Sequence, residues 1–238
     1  GAAVVVLILL ILAVFGPWLV PSDPYASSMM KRLKPIGFEG HPLGTDELGR
    51  DMLSRLMVGA RLSLFMGITP VLLAFVVGSL IGITAGYAGG TLNTVMMRTI
   101  DVFYAFPSVL LAIALSGALG AGITNSLISL TIVFIPPIAR VAESVTTQIR
   151  GRDFVDAARA SGANAFTIVR VHVLGNVLGP IFVYATSLIA VAMILASGLS
   201  FLGLGVKPPE PEWGLMLNTL RTAIYVQPWI AALPGVMI

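Results

Sequence analysis

Residues 102–139 contain no Asp, Glu, Lys or Arg. As one straight helix that stretch would measure on the order of 57 Å, against a bilayer hydrocarbon core of ~30 Å. It therefore has to fold back on itself, and Gly117, Gly120, Gly122 and Asn125 mark the turn. Residues 62–97 are also free of charge, with an apolar run ending near Gly86, and Ala2–Val20 is apolar throughout. Charged residues make up 11% of the 238-residue chain, whereas soluble domains carry about 25%. These features give an all-α integral membrane protein.

Six membrane spans are expected, near residues 2–20, 62–86, 103–119, 124–142, 177–199 and 228–238. The last is too short to cross, at ~20 residues per crossing, and is expected to be cut off. The first begins without Met or a basic flank, so a natural N-terminus is expected to be missing; the spans that follow argue against a signal peptide. Residues 21–61 form a long polar loop expected to include a helix lying at the membrane surface. Residues 143–175 and 200–227 form two more loops. Cys is absent, which removes disulfides, thiolate metal sites and lipidated Cys. Counting Lys and Arg does not choose a side. Arg140–Arg170 holds five arginines, while the loop after the first span holds Lys31, Arg32, Lys34, Arg50, Arg55 and Arg61.

Gly78, Gly82 and Gly86 recur every four residues on the second span, a spacing that lets membrane helices approach closely. In the first loop, His41-Pro-Leu-Gly-Thr-Asp-Glu-Leu-Gly-Arg-Asp51 reads as a capped, charge-paired stretch, with Arg50, Arg55 and Arg61 turned to lipid headgroups. Its His and carboxylates lack zinc or EF-hand spacing, so no metal site is expected. The pair Pro136-Pro137 is expected to break the fourth span. No phosphate loop, nucleophile elbow or zinc-protease motif occurs, so no catalytic residue and no cofactor site is expected. Charges within the spans are almost absent, which argues against an ion-coupled pump.

The most informative loop segment is Asp153-Phe-Val-Asp-Ala-Ala-Arg-Ala-Ser-Gly162. Asp153 can cap a helix, Asp156 sits in its first turn, and Gly162 supplies a left-handed stop. Phe154, Ala157, Ala158 and Ser161 make one small face with a single aromatic. Roughly nine helical residues are marginal alone, so this helix must dock on something. Asn164–Leu174 reads as a second short helix with Phe166, Val169 and Val173 as its apolar stripe. His172 beside it reads as a structural hydrogen-bonding group.

Asp156-Ala157-Ala158, then Gly162, then His172-x-Leu174 resembles the coupling loop of ATP-binding-cassette (ABC) importer permeases. Asp stands at 156 where that family has Glu, which keeps the carboxylate, and Gly175 stands where it has Pro. Gly44-Thr-Asp-x-x-Gly-Arg-Asp51, Ser54-Arg55 and Gly59-Ala-Arg-x-Ser-Leu64 resemble the dipeptide/oligopeptide branch. So do Ser200-Phe-Leu-Gly-Leu-Gly-Val206, Pro208-Pro209 and Trp213-Gly214. The resemblance covers nearly the whole chain. It implies the type I importer permease fold and a permease subunit in the bacterial inner membrane that moves short peptides. It further implies that Arg152, Asp153, Phe154, Asp156, Ala157, Ala158, Arg159, Ser161 and Gly162 grip a partner ATPase in the cytoplasm. ATP and Mg would then sit on two partner ATPase subunits or domains, a second related permease would complete a heterodimer, and an extracytoplasmic solute-binding protein would deliver the solute. A stand-alone channel or secondary transporter is the alternative, distinguished by transport without an ATPase. Residues that touch the solute are not identified by the sequence.

Overall fold

The computed structural model describes residues 2–238, and among them the secondary structure is helical apart from two isolated β-bridges. α1 (Ala2–Leu19) leads through a turn-rich segment with one 3₁₀ turn (Met29–Lys31) into α2 (Met52–Ala88). α3 (Gly90–Tyr104) and α4 (Ser108–Leu119) follow, then α5 (Ile123–Arg150) and the short α6 (Asp153–Ala160). α7 (Ala165–Thr167) passes through a π-helical turn, Ile168–Val173, into α8 (Leu174–Phe201) without interruption. α9 (Trp213–Thr219) and α10 (Pro228–Met237) complete the chain.

Among the described residues, three helical stretches are long and apolar enough to cross a bilayer: Met52–Ala88, Ile123–Arg150 and Ala165–Phe201. Within the expected third span, 103–119, residues 108–119 form α4, which meets α3 at 86° across residues 105–107. Pro107 lies in the break. It disfavours helical backbone at the preceding residue and cannot donate a hydrogen bond. α1 and α10 are apolar but shorter. By contrast, Pro136-Pro137 does not break α5, which runs unbroken from Ile123 to Arg150. Two prolines remove only two backbone bonds, and Ile138, Ala139 and Ala142 on the next turn are fully buried and hold the helix in place.

The chain forms two units. One comprises the segments up to Ile68, Leu115–Ser126 and Met193–Ile238. Its core gathers Met52, Leu56 and Ala60 with Trp213, Met216, Leu220 and Ile230. The Trp213 indole donates to the Leu56 carbonyl at 3.0 Å, and its backbone N–H donates to the Ser63 hydroxyl at 3.1 Å.

The polar loop of this unit differs from the expected surface helix. Residues 40–50 are turns, and Gly44 and Gly49 both take φ of +74°, where a side chain would be strained. Arg50 and Arg55 point inward rather than to headgroups, 5% and 2% exposed. Asp46 draws both of them in: its Oδ2 lies 2.6 Å from Arg50 Nε and 3.2 Å from Arg55 Nε. Its Oδ1 accepts from the Leu48 and Arg50 amides at 2.9 Å. Asp51 caps α2 by accepting from the Ser54 amide at 2.8 Å, and its other oxygen bonds His41 Nδ1 at 3.0 Å.

The other unit comprises Thr69–Ala114 and Leu127–Ala192. Here α2 lies against α5 along the glycine row. A Cβ on Gly78 would stand 3.0 Å from the Ile135 carbonyl, and one on Gly86 would stand 2.7 Å from the Glu143 carbonyl. Gly82 faces the Ala139 carbonyl still more closely. The glycine row is thus occupied by α5 of the same chain. Asn93 ties α3 to α5 by donating to Glu143 at 2.7 Å, and Arg140 pairs with Asp101.

Candidate functional site

α6 projects between the end of α5 and the start of α7, and its geometry follows from four local interactions. Its first turn is closed by backbone: the Val155 and Asp156 amides donate to the Arg152 carbonyl at 2.9 and 3.3 Å. Asp153 is the first helical residue rather than the cap, and the Arg152 side chain makes no capping bond. Asp153 and Asp156 still lie at the positive end of the helix dipole. At the other end, Gly162 takes φ of +83°; its amide donates to Arg159 O at 3.0 Å and the Ala163 amide to Ala158 O at 3.1 Å. These two bonds form a Schellman stop. Asn164 then caps α7 by accepting from the Thr167 amide at 2.8 Å.

Burial divides α6 into two faces. Val155 is fully buried and anchors the helix to its own chain. Phe154, Asp156, Ala157, Arg159 and Ser161 are exposed, and Ala158 is half-buried. Asp156 and Arg159 pair at 2.9 Å along the surface, Arg159 lies over the Tyr87 ring at 5.9 Å, and Ser161 donates to the Ala157 carbonyl at 2.9 Å. The Phe154 ring sits 6.4 Å from His172. The result is a short helix held from behind, showing a small-residue face with one aromatic at its edge.

The anchor on the next element is not the stripe read from sequence. Phe166 is 74% exposed, whereas Ile168 is buried together with Val173. The π-helical turn explains this: with more residues per turn, positions five apart fall on one face. The buried row runs Ile168, Val173, then Val177 and Ile181 at ordinary helical spacing. A reading on a 3.6-residue period has no means of finding Ile168. Val155 was legible as the one β-branched apolar residue in α6.

A second feature of this unit lies at the α3–α4 break. Phe103, Tyr104, Phe106, Phe134 and Tyr184 line a cavity of about 290 Å³ with Ser108 at its wall. The sequence offered no signal for it, because its aromatics come from three separate segments.

Comparison with known proteins gives a consistent picture. Residues 78–238 match the family described as binding-protein-dependent transport system inner membrane component. Residues 1–35 match the N-terminal TM domain of oligopeptide transport permease C. The chain is 40% identical to a di/tripeptide transport system permease protein of Pseudomonas aeruginosa, covering all of this chain and 80% of that protein. It is 38% identical to a glutathione transport system permease protein of Pectobacterium atrosepticum, covering 100% and 79%. It is 37% identical to a probable D,D-dipeptide transport system permease protein of Escherichia coli, again covering 100% and 79%. In fold it is similar to a chain of the MetNI methionine ABC transporter in an inward-facing conformation. That match has a TM-score of 0.64 at 20% identity and covers 78% of this chain and 90% of that one.

Proposed function

The chain belongs to the family of binding-protein-dependent transport system inner membrane components, and on that premise we propose how it couples to its partners and what it carries. It is a multi-pass permease subunit of a bacterial ABC importer, a type of machine that works with an ATPase and a solute-binding protein. α6 is the coupling helix, on the cytoplasmic side, and seats its Phe154, Ala157 and Ser161 face in a groove of the ATPase. The observation that carries this reading is the split burial of α6: Val155 is fixed within the chain while the small-residue face stays uncovered. Small side chains let the ATPase approach the helix closely, and the Schellman stop at Gly162 holds its angle. ATP and Mg are bound by the ATPase, and this chain supplies no catalytic group.

The solute is a short peptide or a peptide-like molecule, as the names of three relatives suggest. The aromatic cavity at the α3–α4 break suits apolar side chains of such a solute. Because one chain carries one such helix and a dimeric ATPase offers two grooves, a second, related permease pairs with this one. Residues 21–61 and 203–227 face outward, toward the binding protein.

The absence of Cys makes a direct test available. A single cysteine at Ala157 should cross-link to the ATPase in the assembled complex, while one at the buried Val155 should not. Failure of Ala157→Cys to cross-link in a complex that retains its ATPase would remove the coupling role. In the same background, a cysteine at Ser28 or Glu210 should be labelled from outside the cell membrane only. Labelling from the cytoplasm alone would reverse the assigned orientation.

A further inference from the structure

Of the three arginines that introduce α2, only Arg61 remains at the surface; Arg50 and Arg55 are consumed by buried ion pairs. Arg61 lines a cavity of about 550 Å³ whose other polar walls are Asp23, Tyr25 and Glu210. Asp23 accepts from the Tyr25 amide at 2.8 Å, and Glu210 accepts from the Tyr25 hydroxyl at 3.2 Å. Among the described residues, none of the three charges has an ion-pair partner. The cavity thus offers one free cation and two free carboxylates.

Its remaining walls are apolar. Pro17 and Val20 come from the end of α1, and Val58, Leu62 and Phe65 from α2. The cavity therefore straddles the place where α1 passes from apolar to polar sequence. Trp18, 76% exposed, follows Pro17 of this wall, and Tyr25, 44% exposed, lines the cavity itself; aromatics of this kind are enriched at membrane–water interfaces. The site is also built in advance. The buried Arg55 guanidinium donates to the Pro24 carbonyl at 3.1 Å and to the Pro209 carbonyl at 3.3 Å, tying two walls together.

We propose that this cavity binds the headgroup of an aminophospholipid of the phosphatidylethanolamine type. The phosphate sits on Arg61, the ammonium is shared by Asp23 and Glu210, and the first acyl methylenes lie along Val20, Leu62 and Phe65. Two carboxylates match the three donors of a primary ammonium, which a trimethylated choline lacks. The guanidinium is suited to phosphate. The proposal stands apart from the transport reading, since it uses neither α6 nor the aromatic cavity.

The test is native mass spectrometry of the assembled importer released from nanodiscs of equal phosphatidylethanolamine, phosphatidylcholine and phosphatidylglycerol content. Phosphatidylethanolamine should be the lipid retained. Arg61→Gln should lower retention of any phospholipid at this site by roughly tenfold, the scale of one charge-assisted contact. Asp23→Asn with Glu210→Gln should abolish the preference for ethanolamine over choline. Arg98→Gln, at an exposed position on α3, should leave lipid retention unchanged. Equal retention of the three lipids, or native behaviour of the cavity variants, would overturn the proposal. O-phosphoethanolamine carries the same zwitterion without acyl chains and should fail to displace the lipid at millimolar concentration. Displacement would assign the cavity to a soluble zwitterion instead.

Discussion

Glu212 caps α9 from a position that is 1% exposed, accepting from the Gly214 and Leu215 amides at 2.9 and 2.8 Å. Burial pushes its carboxyl above the ordinary carboxylate range, although those two amides and the Ser200 and Ser63 hydroxyls pull it back. A carboxyl whose folded value is raised contributes stability that is full in acid and is lost as pH rises through the folded value. Thermal unfolding in detergent should therefore show stability falling as pH climbs above the ordinary carboxylate range, and Glu212→Gln should flatten that dependence. Gln offers one acceptor for two buried amides, so the variant should also be less stable by about 1–3 kcal/mol at the acid end. An unchanged pH profile in Glu212→Gln would contradict the assignment. Glu212 is hard to find from sequence because Ser, Thr, Asp and Asn are the usual cap signals.

Among the elements, the α2–α5 contact makes a sharp demand on side-chain size at three successive turns. Gly82→Leu would drive a side chain into the Ala139 carbonyl and the Ala142 methyl, and overpacking of this kind costs about 1–3 kcal/mol. A Cβ on Gly117 would meet nothing within 4 Å, so Gly117→Leu should leave thermal stability nearly unchanged. Equal losses in the two variants would mean that helix propensity, not close packing, governs both. The glycine spacing was readable because it obeys the ordinary helical period, but which helix it meets was not. Two other elements depart from their sequence expectation for the same kind of reason. The π-helical turn shifts the buried row from Val169 to Ile168, and the break at Pro107 sets the charged α3 and the apolar α4 at 86°. Both are departures from regular geometry; Pro107 marks the second, whereas the π-helical turn leaves no trace in the composition. In the polar loop the residues were legible and their direction was not. Asp46 and Asp51 satisfy Arg50, Arg55 and His41 internally, and such pairing depends on contacts fixed only by the folded turns.

For the whole molecule, the proposed coupling role means that motion in the spans is driven through one small helix. Gly162→Val opposes the φ of +83° that ends α6, and Ala157→Trp fills the uncovered face, yet neither touches the cores of the two units. Both variants should insert and fold normally. The most direct test is peptide uptake into liposomes holding this chain, its partner permease and the ATPase, with the binding protein supplied outside. The native complex should take up peptide only with ATP and the binding protein both present. Ala157→Trp should abolish that uptake while the variant chain remains folded and paired with its partner permease. Uptake by this chain alone down a gradient, or undiminished ATP-driven uptake by the Ala157→Trp complex, would contradict the account.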